Sequence, residues 1–189
     1  MRDDFTVLFG WFPEQFEKHP IDGVFSPGSV EHDILTRFRD GWGAGDTADL
    51  LRELSAAYGE KAGQAIEDYF AACLRQNWAL IGKRESHAGA EIEDFIRVLW
   101  EPLREDGSEF TIERTPGTAE LRVTRCPLHD LAERTGLHDW IYHLACATDF
   151  YTTPAFCPGI EFTRTKTLVQ GHDCCNHRYC YRDQGAAEK

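Results

Sequence analysis

The chain has 189 residues, a hydrophobic fraction of 42% and a formal net charge of −12. That length suits one domain with an elaborated arm, and the acidity argues against nucleic acid and anionic membrane surfaces while permitting a local basic pocket for an anionic small molecule. No stretch approaches the roughly 18 apolar residues of a membrane span, and MRDDFTVLFGWFPEQF is too acidic and too briefly apolar for a signal peptide, so a cytoplasmic protein is expected.

Residues 1–27 carry Pro13, Pro20 and Pro27 among many aromatics and read as an irregular arm docked by Phe5, Trp11, Phe12 and Phe16. Ser26-Pro27 offers a helix start. Val30, Ile34, Leu35 and Phe38 then give one apolar face to a helix over 28–39, which a run of glycines ends. Asp46 can cap the next helix. Apolar spacing from Leu50 to Ile81 predicts one long helix over 47–82, or two with a break at Gly59. A further amphipathic helix is expected over 90–103, closed by Pro102 and Asp106-Gly107.

The period then changes to two. Phe110 and Ile112 alternate with polar residues, Pro116-Gly117 makes a turn, and Leu121 and Val123 alternate again, which is a hairpin pattern. A short helix is predicted over 128–135 and another over 139–150. Strands are predicted over 160–169 and 175–181, with Gly171-His172-Asp173 turning between them. The expected fold is α+β. N-terminal helices pack on a four-stranded antiparallel sheet in the order ααα-ββ-αα-ββ, as a single domain over 1–185 with a frayed tail at 186–189.

Seven cysteines without an export signal argue against a disulfide framework. Cys73 fits a buried apolar position. The other six fall in the last third of the chain, which points to chemistry, metal or redox use.

Four constellations carry candidate chemistry. On a continuous helix over 139–150, His143, Cys146 and Asp149 share one face. An imidazole can lower a thiol's pKa, and a carboxylate can orient the ring or transfer a proton. The alternative is a polar stripe toward solvent with Cys146 buried among alanines. The second set is HDCCNHRYC, in which His172, Cys174, Cys175, His177 and Cys180 are candidate ligands for a thiophilic metal such as zinc. Strand alternation limits this, because Cys175, His177 and Tyr179 face one side and Cys174, Arg178 and Cys180 the other. Outside that metal reading, no cofactor is expected. The third set is Cys126 and His129, at a strand end and one helical turn later. The fourth is Arg122, Arg125, Arg164, Lys166 and Arg178, which form either an anion pocket or a solvated sheet face with partners such as Glu120 and Glu161.

The segments CPLHDLAERTGL (126–137), CATD (146–149) and RTKTLVQG (164–171), with Cys175 after the glycine, resemble the L-2-amino-thiazoline-4-carboxylic acid hydrolase family over roughly residues 120 to 182. The family pattern has a Cys-x-x-Asp and a later T-L-x-x-G-x-x-x-C, and both occur here in order. The resemblance implies a hydrolase acting on a C–N bond of a cyclic amidine, a thiazoline ring opening to an S-carbamoyl cysteine. It carries Cys146, Asp149 and Cys175 as site residues. On this reading Cys146 is the nucleophile and Asp149 moves the proton. His143 or His177 activates the thiol, Arg164 holds a substrate carboxylate, and His177 and Tyr179 are further substrate-binding candidates. The pattern has an aromatic two residues after the last cysteine, where this chain has His177, and Cys174 and Cys180 are additional. The same Cys-x-x-Asp with a later cysteine is also similar to organomercurial lyases. The element order is similar to four-vinyl-reductase-type small-molecule-binding domains. The expected partner is a small-molecule substrate, with self-association left open.

Overall fold

The computed structural model describes residues 4–182, and the tail read as frayed lies outside them. The described residues up to 27 are not an irregular arm. They form helices α1 (Asp4–Leu8) and α2 (Phe12–Lys18) and a 3-10 turn at Ile21–Gly23. Pro13 sits in the first turn of α2, where a missing N–H costs nothing. Helix α3 spans Val30–Gly41, and its cap is Ser29, whose hydroxyl accepts the His32 N–H, and not Ser26.

Helices α4 (Thr47–Tyr58) and α5 (Glu60–Glu85) meet at Gly59. Its φ of +62° is a conformation that side chains rarely adopt, so the apolar stripe divides there. Asp46 caps α4 by accepting the Asp49 N–H. Next come α6 (Glu91–Phe95), a π-helical turn at Ile96–Trp100, and α7 (Glu101–Glu105). The chain continues helically through Pro102. The proline has no N–H to send back one α-turn, and the widened turn lies just before it.

Strands β1 (Glu109–Thr115) and β2 (Thr118–Arg125) form the expected hairpin about Pro116-Gly117. Helix α8 (Pro127–Thr135) follows. The predicted helix over 139–150 is broken into α9 (His138–Leu144), a 3-10 turn at Cys146–Thr148 and α10 (Asp149–Phe156). Ala145 leaves the helical region at φ −133°. The Thr148 hydroxyl donates to its carbonyl at 2.6 Å, an alternative partner that competes with the helix ladder. Strand β3 runs only Ile160–Thr163 and not to 169. The Asn176 side-chain oxygen takes the backbone N–H groups of Thr165 and Lys166, and Thr167 then caps a 3-10 turn at Leu168–Gln170. Strand β4 (Cys175–Tyr181) pairs antiparallel with both β2 and β3, so the sheet order is β1-β2-β4-β3.

Two compact units share the chain. One takes the described residues up to Cys73 together with Asp130–Thr148, and the other takes Leu74–His129 and the described residues from Asp149 on. The core of the first is aromatic. Phe12 stacks on Phe70 at 4.2 Å and Phe16 on Tyr69 at 5.0 Å, while Phe5, Ile34, Leu35, Phe38, Leu51 and Leu54 are almost fully buried. The Tyr69 hydroxyl donates to the His19 carbonyl at 2.6 Å.

The second unit holds the sheet. Ala119, Leu121, Val123, Cys175 and Tyr179 on its inner face share a core with Ile92, Phe95, Ile96 and Trp100, and with Phe156, Ile160 and Leu168. The fold is thus α+β with a four-stranded antiparallel sheet. The helices in the sheet's core are α6, its π turn, α10 and the second half of α5, whereas α1 to α4 belong to the first unit. No helix among the described residues is long and apolar enough to cross a membrane.

Candidate functional site

Strand alternation sorts the side chains of β4. Cys175, His177 and Tyr179 point into the core, and Arg178 points out. On the neighbouring strand Phe162 faces the same side as His177 and stacks on it at 5.8 Å between centroids. Arg164, two residues after Phe162, continues on that side although the strand has ended. Its side chain is 3% exposed.

These residues meet at Asp149, the first residue of α10. One carboxylate oxygen, Oδ2, accepts from Arg164 Nη1 at 2.5 Å and pairs with His177 Nε2 at 3.2 Å. Asp149 is 20% exposed and His177 5%. The walls are aromatic. Trp100 lies edge-on to the His177 ring at 4.8 Å, and the Arg164 guanidinium lies over the Phe150 ring at 5.1 Å. The Trp100 indole N–H donates to the Tyr179 hydroxyl at 3.1 Å. Burial pushes the Tyr179 phenol well above its ordinary range.

Cys175 is 7% exposed, and its sulfur accepts the Leu168 N–H at 3.2 Å. Burial outweighs that bond and pushes the thiol up to about 11, so Cys175 is a protonated thiol at neutral pH.

Cys146 lies in the first unit, half-buried, in the 3-10 turn that follows α9. The face once assigned to His143, Cys146 and Asp149 presumed an unbroken helix, and the chain does not form one. His143, also in the first unit, has its own acid. Its Nδ1 pairs with Glu67 Oε2 at 2.7 Å, and the ring lies against Gly63, where a Cβ would come within 2.8 Å of Nε2. His143 borders a broad cleft with Lys61, Gln64, Asp139 and Trp140.

The basic set divides in two. Arg178 pairs with Glu120, while Arg122 and Lys166 both pair with Asp173, all of them exposed. Those two cations hold Asp173 down at about 2, the Arg122 bond contributing most. A cleft of about 300 Å³ runs along this charged outer face and reaches Arg164 and His177. Arg164 alone of the pairs described joins the buried carboxylate.

The five ligand candidates also separate. His172 is exposed, Cys174 turns to Asp173, Cys175 and His177 point into the core, and Cys180 lies toward Arg178 and the Glu161 carbonyl. Among the described residues no group of three or more His, Cys, Asp or Glu side chains could hold a metal ion.

Sequence reasoning missed Trp100 and Glu67. Trp100 showed only an apolar helical position. Glu67 was an acid inside an otherwise apolar run, a signal that is visible but does not name its partner.

The chain is thus α+β, with an Asp–Arg–His cluster under the inner face of its antiparallel sheet. The family model of L-2-amino-thiazoline-4-carboxylic acid hydrolase matches residues 42–179, and the chain belongs to that family. The match reaches well before the segment from residue 120, to which the motif resemblance was confined. No curated protein and no solved structure matches the chain.

Proposed function

We propose that the chain hydrolyses a C–N bond of a small cyclic amidine, of the 2-amino-thiazoline-4-carboxylate class. The observation that carries this reading is the partly buried Asp149 carboxylate, gripped by Arg164 and His177 among Trp100, Phe150 and Phe162. A carboxylate in such surroundings interacts more strongly with a bound cation or a moving proton than it would in water.

Cys146 enters on its chemistry, on its partial exposure and on the Cys-x-x-Asp motif. Its sulfur adds to C2 of the ring, between the ring sulfur and the two nitrogens. The C2–N3 bond breaks, and the departing nitrogen takes up a proton and leaves as an amine. Water then adds to the enzyme-bound carbon and expels the Cys146 thiol. The product is an S-carbamoyl cysteine, so substrate and water balance product. Cys175, as a protonated thiol, serves this scheme as wall and hydrogen-bond acceptor and not as nucleophile.

The test is turnover of 2-amino-thiazoline-4-carboxylate followed by mass spectrometry of the carbamoyl product. Wild type should convert it. Cys146→Ser and Asp149→Asn should each lose at least about a hundredfold while keeping the wild-type circular dichroism spectrum. Retention of unchanged ligand without turnover would favour a binding domain instead.

A further inference from the structure

His177 stands where the family pattern has an aromatic, and its two ring nitrogens have different surroundings. Nε2 faces Asp149 Oδ2 at 3.2 Å. A carboxylate that already takes an arginine N–H can only accept from the ring, so Nε2 carries the hydrogen. In the neutral ring Nδ1 is then the lone-pair nitrogen. It is buried, and no protein group among the described residues donates to it. Cys175 and Tyr179, its neighbours on the strand face, accept from Leu168 and Trp100, and neither the thiol nor the hydroxyl makes a hydrogen bond to Nδ1.

Buried acceptors are nearly always satisfied. An aromatic residue could fill the same space between Trp100 and Phe162 with no polar atom to satisfy. A histidine there has a use if a ligand supplies the missing N–H. Held by Arg164, the Asp149 carboxylate stands behind Nε2, fixes the ring's tautomer and aims its other nitrogen. Asp149, 20% exposed beside the ring, gives this corner a border with solvent.

We propose that Nδ1 of His177 is a ligand subsite that accepts one hydrogen bond from an N–H group, selecting amidine-type or amino-substituted heterocycles over analogues without that donor. The ligand class rests on the hydrolase reading above. The subsite itself rests on the tautomer that Asp149 imposes.

Two probes separate these claims. 2-Aminothiazole-4-carboxylate is an aromatic mimic that keeps the exocyclic N–H₂, and thiazole-4-carboxylate lacks it. Calorimetry with the full chain should show wild type preferring the amino probe by roughly tenfold or more, the scale of one hydrogen bond. His177→Phe should lose that preference, and His177→Gln, which keeps a side-chain acceptor, should regain part of it. Nitrogen NMR of ¹⁵N-histidine-labelled wild type needs no folded variant. The ligand-free protein should show one histidine as the Nε2–H tautomer, and its Nδ1 resonance should move with the amino probe and not with thiazole-4-carboxylate.

Equal affinity for the two probes would overturn the proposal. So would binding of neither, or a Nδ1 resonance that ignores both because only water donates to it. Absence of thiazoline turnover with the preference intact would defeat the hydrolase reading and leave the subsite standing.

Discussion

Replacing Arg164 by methionine tests whether the buried cluster is held by charge. Methionine keeps most of the length and apolar volume of the arginine stem, so little cavity opens. What changes is the carboxylate. Asp149 is 20% exposed and loses the partner that now lies 2.5 Å away, leaving His177 Nε2 as its remaining described donor. Breaking one side of a buried pair costs about 3–5 kcal/mol, because the other charge is left behind. A chain of this size shifts its melting temperature by about 2–4 °C per kcal/mol, which predicts a fall of roughly 6–20 °C. Arg178→Met is the control. Its pair with Glu120 has side chains 48% and 58% exposed, and an exposed pair contributes about 0–1 kcal/mol. Thermal melts by near-ultraviolet circular dichroism, which sees the aromatic walls, read both variants on one scale. If Arg164→Met melts within a few degrees of Arg178→Met, the buried pair is not what holds Asp149 and the argument fails. A double variant Asp149→Asn/Arg164→Met should recover much of the loss, since no charge is then stranded.

Gly82→Ala should cost about 2 kcal/mol or more in chemical denaturation, because a Cβ there would overlap the Phe156 backbone carbonyl and backbone cannot yield as a side chain can. Cys175 has its thiol raised from 9.0 to about 11 in the folded state. Its contribution is therefore complete below pH 9 and is lost as pH rises toward 11, by roughly 2–3 kcal/mol at the limit. Urea titrations from pH 8 to 11 should show wild type losing more stability than Cys175→Ala over that window, and parallel curves would refute it. Iodoacetamide mapping by mass spectrometry should label the partly exposed Cys126, Cys146, Cys157 and Cys180 before the buried Cys73, Cys174 and Cys175.

Much of the fold was legible because hydrophobic period is a local property. The alternations around Phe110–Ile112 and Leu121–Val123 gave the hairpin, and the 3.6-residue stripe of α4 and α5 gave those helices. The break at Gly59 was visible as one of two options, and its positive φ decides between them. The split of the helix at Ala145 was not legible. The run LACATD has no proline or glycine to announce it, and a threonine hydroxyl competing for a backbone carbonyl is a matter of geometry. That one bond removes the spacing argument for a shared His143, Cys146 and Asp149 face.

The site was legible in its residue types and not in its pairings. Asp149, Arg164 and His177 were all singled out, but with Arg164 reserved for a substrate carboxylate and His177 for a thiol. Alternation along β3 already held the clue. Phe162 is inward, so Arg164 two residues later is inward too, whereas Arg122 and Arg178 alternate with Leu121, Val123, His177 and Tyr179 and must face out. An inward arginine in an acidic chain must meet a carboxylate, because an unpaired buried guanidinium is too costly to persist. The carboxylate it meets is the aspartate of the Cys-x-x-Asp motif. In this structure that aspartate shares no helix with its cysteine and is held by an arginine just past β3 and a histidine of β4.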